Sequence, residues 1–148
     1  MDGRCLKDGC GAHPYLIKPN AEEAGRLIGR QIDSLQEAID ALEELHGSGA
    51  TRVAVSLGKA GAVYSDGMHS WWAIPPQITE RNPIGAGDAM LAGLVMALVR
   101  NYDGADVLRW GVACGAAAAS LDGTRVGSLE MVESLLARVK VGNGRFGS

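Results

Sequence analysis

Aromatic residues are scarce in this chain, at 5% with a single phenylalanine, and cysteines number only three. None of Cys5, Cys10 and Cys114 lies in a Cys-x-x-Cys pair or beside a histidine cluster, which excludes the usual zinc spacings. A surplus of positive charge is also missing. The formal net charge of −3 leaves no basic footprint for nucleic acid or an anionic membrane surface, so a phosphate-binding site would have to be local and built from backbone amides. No apolar run approaches the length of a membrane span, and the first residues carry charges and glycines in place of a signal-peptide core. A reducing cytoplasm is the expected compartment. What the chain does have is 47% hydrophobic and 21% charged residues with 21 glycines, the make-up of a globular, turn-rich α/β protein. At 148 residues one domain with a real core is expected.

Residues 1–14 show neither helical nor strand periodicity and read as an irregular leader. Tyr15-Leu16-Ile17 is a short apolar run that stops at Lys18-Pro19-Asn20, where Asn20 can cap a helix running to Ile28. Ser34-Leu35-Gln36-Glu37 has capping-box spacing, and Leu35, Ile39, Leu42 and Leu45 recur at helical intervals. Val53–Leu57 and Gly61–Ser65 read as buried strands. Strand, helix, strand is a parallel crossover pattern. Ser65-Asp66-Gly67 predicts a hairpin into a strand over Met68–Ile74 that Pro75-Pro76 ends. Helices are then expected over Ala89–Val99, Ala105–Ser120 and Leu129–Val139, with residues 141–148 a flexible tail. Cys114 reads as a small buried side chain of the alanine-rich second helix.

Four stretches can carry chemistry. Gly85-Ala86-Gly87-Asp88 opens an apolar helix, and the unsatisfied amides of such a start, with roughly half a positive charge, suit an anion. Asp88 can there accept a proton from an attacking hydroxyl. The same four residues also fit a tight loop with an aspartate cap. Lys18-Pro19-Asn20-Ala21-Glu22-Glu23 follows a strand's carboxyl end, where ligands bind in open α/β sheets. Asn20 and Glu23 can there hold waters around Mg²⁺, or simply form a capping box. Ser56-Leu57-Gly58-Lys59-Ala60-Gly61 is a further strand-end turn; it lacks Walker A spacing and serves either a nucleotide's phosphates or a plain β-turn. The small residues from Gly111 to Ala119 either pack closely on another helix or leave room for an adenine ring.

Taken in order, these pieces resemble the carboxyl-terminal half of the PfkB-type carbohydrate kinases, the ribokinase-like family, and within it the sugar-phosphate kinases. The carriers are Lys18-Pro19-Asn20-x-x-Glu23, Ser56-Leu57-Gly58-x-x-Gly61, Gly85-Ala86-Gly87-Asp88, and Gly111-Val112-Ala113 through Gly123-Thr124. The resemblance implies an α/β fold: a partial ribokinase-like three-layer arrangement, a mostly parallel sheet flanked by helices with a β-hairpin excursion, over residues 15–140. It implies transfer of the γ-phosphate of ATP to a hydroxyl of fructose-1-phosphate, fructose-6-phosphate or tagatose-6-phosphate. Asp88 would be the base and the amides of Gly85, Ala86 and Gly87 the anion hole. Lys18, Asn20, Ser56, Leu57, Gly58, Gly61, Val112 and Ala116 would bind the nucleotide, and Glu23 with Asn20 would organise Mg²⁺ through water. Asn82, Ile84, Gly123 and Arg125 match where some relatives hold a monovalent cation such as K⁺. Phosphoryl transfer needs mostly positioning and charge stabilisation, which such parts supply.

Two departures stand out. Pro83 occupies a position where many relatives have threonine, and it offers neither hydroxyl nor amide donor. Family members are also much longer, and the half that supplies the sugar-binding residues and the lid is not in this sequence. The expected reading is therefore a piece of a longer frame, a chain that forms homo-oligomers or associates with a separate amino-terminal half, or a remnant. A nucleotide-binding or interaction fragment without catalysis is the competing function.

Overall fold

The computed structural model describes residues 15–47, 49–78, 85–120 and 129–143. Five strands form one sheet in the order β1-β2-β3-β4-β5: Leu16–Ile17, Arg52–Ser56, Ala62–Ser65, Ser70–Ile74 and Lys140–Asn143. Among the described residues there are five α-helices: α1 Ala21–Ile28, α2 Leu35–His46, α3 Ala86–Val99, α4 Gly104–Ser120 and α5 Leu129–Leu136. The chain divides into two compact units, residues 1–72 with 142–148, and residues 73–141.

In the first unit, β1 and β2 run parallel, with Leu16 opposite Arg52 and Ile17 opposite Val53, and a further parallel bridge joins Asn20 to Ser56. The α1–α2 segment is the crossover that parallel pairing requires. β3 returns antiparallel to β2, because the few residues from Leu57 to Gly61 are too short for a second crossover. The sheet is therefore mixed, and antiparallel pairing begins one strand before the expected hairpin. α2 packs on β2 and β3, and α1 on α2 and β2. This buries Leu35, Ala38, Leu42 and Leu45 of α2 and Val53, Val55 and Val63 of the strands, worth roughly 2 kcal/mol for each large side chain.

Capping decides where these helices start. Asn20 and Glu23 form the complete reciprocal box on α1. Ser34 accepts from the Glu37 amide at 3.1 Å, while the Glu37 carboxylate accepts from the Asp33 amide and the Ser34 hydroxyl, so this box reaches one residue further back than its spacing suggests. At the other end of α2, His46 Nδ1 lies 3.0 Å from the Ala50 carbonyl and Nε2 2.8 Å from Ser65 Oγ. The carbonyl can only accept, so Nδ1 carries a proton, and Nε2 and Ser65 Oγ share a hydrogen bond. That bond ties α2 to β3.

Tyr64 is 1% exposed, and burial pushes its phenol up to about 12, against the opposing pull of the Arg52 guanidinium. The unfolded phenol ionises near its ordinary value of about 10 while the folded one stays neutral. Stability conferred by the buried neutral phenol is thus complete below pH ~10 and lost as pH rises toward ~12, roughly 2–3 kcal/mol in all. Urea melts across that interval should show this fall in the native protein and its absence in Tyr64→Phe.

In the second unit, α3 and α4 form the most extensive helix pair and α4 also packs on α5. Three glycines allow the close approach. A Cβ on Gly93 would lie 2.8 Å from the Trp110 carbonyl oxygen, one on Gly111 2.6 Å from Leu94 Cδ2, and one on Gly115 3.3 Å from the Ala86 carbonyl oxygen. Of the two readings of the Gly111–Ala119 segment, close packing is the one realised along this face. Cys114, half-buried, has its thiol pushed up by burial. α5 stops at Leu136, short of Val139, and the chain continues in β5. Residues 141–143, expected to begin a flexible tail, are thus strand.

Candidate active site

Parallel pairing brings the carboxyl ends of β1 and β2 side by side. The Ser56 amide donates to the Pro19 carbonyl at 3.2 Å, and the Asn20–Ser56 bridge extends the pairing to the two turns themselves. Between these ends and the start of α1 lies an open cleft of about 330 Å³, lined by Asn20, Ser56, Leu57 and Gly58 together with Ala21, Glu22, Ile32, Asp33 and Ala60. Four of the residues expected to meet a nucleotide are thus brought to one place by backbone geometry alone.

After Ser56 the chain makes a tight 3-10 turn over Gly58–Ala60, closed by the Leu57 amide on the Gly61 carbonyl at 2.8 Å. Gly58 sits at φ 59 and Gly61 at φ 124, regions that side-chain-bearing residues rarely adopt. Among the described residues a Cβ on Gly58 would meet nothing within 4 Å, so they leave the backbone here open to a ligand. Lys18 is 6% exposed and is not among the lining residues. Glu23 and Gly61 are not among the lining residues.

The capping box redefines what Asn20 and Glu23 can offer. Asn20 Oδ1 accepts from the Glu23 amide at 2.8 Å, and Glu23 Oε1 accepts from the Asn20 amide at 2.9 Å. Asn20 keeps Nδ2, a donor that suits a phosphate oxygen and not a metal. Glu23 keeps Oε2, which suits a metal-bound water. Among the described residues no group of three or more His, Cys, Asp and Glu side chains could hold a metal directly. The donor set therefore fits Mg²⁺ carried on phosphates and held through water, not a protein cage.

In the second unit, α3 begins at Ala86, two residues before Asp88, with Gly85 as its cap residue and no side chain capping it. Asp88 is in the first turn and exposed. Gly85 has φ −86, an ordinary helical value, so the turn uses its lack of a side chain and not left-handed backbone. Among the described residues a Cβ there would meet nothing within 4 Å. Gly115 braces this end by lying against Ala86 and Met90. Val112 and Ala116, one turn apart on α4, are buried. Asn82, Ile84, Gly123 and Arg125, the expected monovalent-cation positions, lie outside the described residues.

Sequence reasoning missed Glu22, Ile32 and Asp33 as cleft residues. The signal was the Gly25/Gly29 pair, which lets the α1–α2 loop fold back.

The pfkB family carbohydrate kinase model matches residues 4–131. The chain belongs to the PfkB family of carbohydrate kinases. Among its relatives, 1-phosphofructokinase of Escherichia coli K12 is 31% identical over 134 residues, covering 90% of this chain and 43% of that protein. ATP-dependent 6-phosphofructokinase isozyme 2 of the same organism is 32% identical over 144 residues, covering 90% and 47%. The crystal structure of E. coli phosphofructokinase-2 in complex with substrates and products superposes with a TM-score of 0.78 at 33% identity, covering 86% of this chain and 41% of that one. The PfkB chain described here spans less than half the length of the relatives it matches. Its fold is the ribokinase-like α/β fold in part. No helix among the described residues is long and apolar enough to cross a membrane.

Proposed function

We propose that this chain contributes the nucleotide side and the base of a cytoplasmic Mg·ATP-dependent kinase that phosphorylates a hydroxyl of a fructose or tagatose phosphate. The observation that carries the reading is the pairing of Asn20 with Ser56, which gathers two motifs separate in sequence into one cleft. Asn20 Nδ2 and the open backbone at Gly58 would hold the phosphates of ATP, with Val112 and Ala116 toward the adenine. Mg²⁺, held through water by Glu23, would neutralise charge on the transferring phosphate. Asp88 would take the proton of the sugar hydroxyl as its oxygen bonds to the γ-phosphorus and ADP leaves. The amides of Gly85, Ala86 and Gly87 would stabilise the charge on the transferred group. A solved relative, E. coli phosphofructokinase-2, is recorded with potassium and in a tetrameric inhibited form, which supports testing K⁺ and self-association here, as well as association with a separate half.

The test is an ATP-dependent phosphorylation assay over fructose and tagatose phosphates, run with Mg·ATP calorimetry. Binding together with turnover supports the whole reading. Binding without turnover would favour the non-catalytic nucleotide module, and a folded chain that binds no ATP would refute the cleft assignment.

Asn20 permits a sharper check. Asn20→Asp retains an oxygen for the α1 cap, so the unfolding midpoint should barely move, whereas Asn20→Ala should cost about 1 kcal/mol. Both lose the Nδ2 donor. Mg·ATP affinity should fall roughly tenfold or more in each, as for a lost hydrogen bond to a charged group; unchanged affinity in Asn20→Asp would leave Asn20 a cap and nothing more.

A further inference from the structure

The second unit has a cavity of its own, about 460 Å³, a size common among ligand sites. Tyr102, Asp106, Arg109 and Trp110, around the start of α4, line it together with Glu133 and Leu136 of α5.

The aromatic wall is set by the way α3 ends. The Asn101 amide donates to the Leu98 carbonyl and the Tyr102 amide to the Ala97 carbonyl, both at 3.0 Å, with Asn101 left-handed at φ 58. This is a Schellman closure, and asparagine bears the torsion better than most residues do. The turn leaves Tyr102 beside Trp110, with ring centroids 6.3 Å apart and planes inclined by 33°. Each ring stays partly exposed, so the pair keeps aromatic surface for a ligand.

The charges around the cavity do not balance. Arg109, the cationic residue of the lining, is ion-paired one turn back with Asp106. Glu133 enters no ion pair or side-chain hydrogen bond among the described residues. An anion would therefore meet an unpaired carboxylate and an occupied guanidinium. A bare metal ion needs several oxygen ligands, and among the described residues no group of three or more His, Cys, Asp and Glu side chains is gathered. Aromatic faces attract cations, indole most strongly, and alkyl groups on the cation also bury apolar surface against them.

We propose that this cavity binds a compact organic ammonium ion, with Glu133 countering its charge and the Trp110 and Tyr102 rings holding its alkyl groups.

Choline chloride is the probe, titrated into the full nitrogen-labelled chain against sodium chloride of equal ionic strength while the indole N–H signals of its three tryptophans are followed. Trp110→Phe, which keeps a ring in place, identifies the Trp110 signal. That signal should shift to saturation with a millimolar Kd, while those of Trp71 and Trp72, outside the lining, stay put. Dimethylbutanol, the same shape with carbon in place of the charged nitrogen, should bind about fivefold more weakly or worse. Glu133→Gln should weaken choline by about threefold to fivefold and leave dimethylbutanol unchanged. Glu130, an exposed α5 carboxylate outside the lining, is the control, and Glu130→Gln should behave as wild type. A shift that never saturates, equal affinity for the two probes, unchanged choline affinity in Glu133→Gln, or an equal loss in Glu130→Gln would each overturn the proposal. Calorimetry reads the same affinities without relying on Trp110→Phe. Circular dichroism checks the fold of each variant, which a change at exposed Glu133 should not disturb. Failure here leaves the nucleotide reading untouched, since the two cavities share no lining residue.

Discussion

Asp88→Asn is expected to lower ATP-dependent sugar-phosphate phosphorylation by about two to four orders of magnitude, the range typical of a lost general base, with Mg·ATP affinity nearly unchanged. Asparagine keeps the shape of the side chain and removes only its ability to take a proton. Asp88 lies in the first turn of α3, where a carboxylate also favours the helix electrostatically by about 0.3–1 kcal/mol. A small drop in the unfolding midpoint is therefore expected beside the large drop in turnover, and the two readouts separate structural from chemical loss. Turnover equal to wild type would remove Asp88 from the mechanism. Gly85→Ala adds a contrast. Its backbone is ordinary and among the described residues its Cβ would meet nothing within 4 Å, so stability should hold while turnover falls, because the methyl group would stand before the amides that are to receive the phosphate.

Gly93→Val is expected to destabilise the protein by roughly 2–4 kcal/mol, the upper part of the range for overpacking. The new Cβ would lie 2.8 Å from the Trp110 carbonyl oxygen and 2.9 Å from Cys114 Sγ. A thiol can rotate aside. A backbone carbonyl inside α4 cannot, so α3 and α4 would have to separate along their main interface. The modest gain in helix propensity over glycine, under about 1 kcal/mol, offsets only part of this. Urea unfolding reads the change directly, and a loss below about 1 kcal/mol would show that the two helices part easily. Because Gly115 of the same face lies against Ala86 and Met90, the variant should also loosen the start of α3.

Much of this fold is legible in the sequence because several elements begin with a local chemical signal. Asn20 with Glu23 and Ser34 with Glu37 mark α1 and α2 through capping spacings, and the apolar periodicity of Leu35 to Leu45 confirms a helix that buries one face. β5 carries no such signal. Lys140-Val141-Gly142-Asn143 is short, lacks alternation and leads into glycines, so only its partners define it as a strand. The antiparallel return of β3 was legible in principle from the shortness of the Leu57–Gly61 turn. In the candidate site, the residues at strand ends could be read because parallel pairing must bring such ends together. Asp33 was harder, since its place in the cleft comes from a loop that folds back over a glycine. The α3 start lies between the two cases: its glycines are visible, but Gly85 has ordinary helical torsion, so unusual backbone is not the reason for it.

A late stretch of the chain closes the first unit. Gly142 lies so tightly against the Trp72 indole that a Cβ would collide with ring atoms Cζ2 and Cε2, yet sixty-nine residues, 73–141, separate the two in sequence and form the other unit. A ribosome makes Trp72 long before Gly142. During synthesis, at roughly 5–20 residues per second, that indole waits several seconds for its cover while the intervening helices emerge complete. The packing of Gly142 against Trp72 can therefore form only after the whole of the second unit has been synthesised.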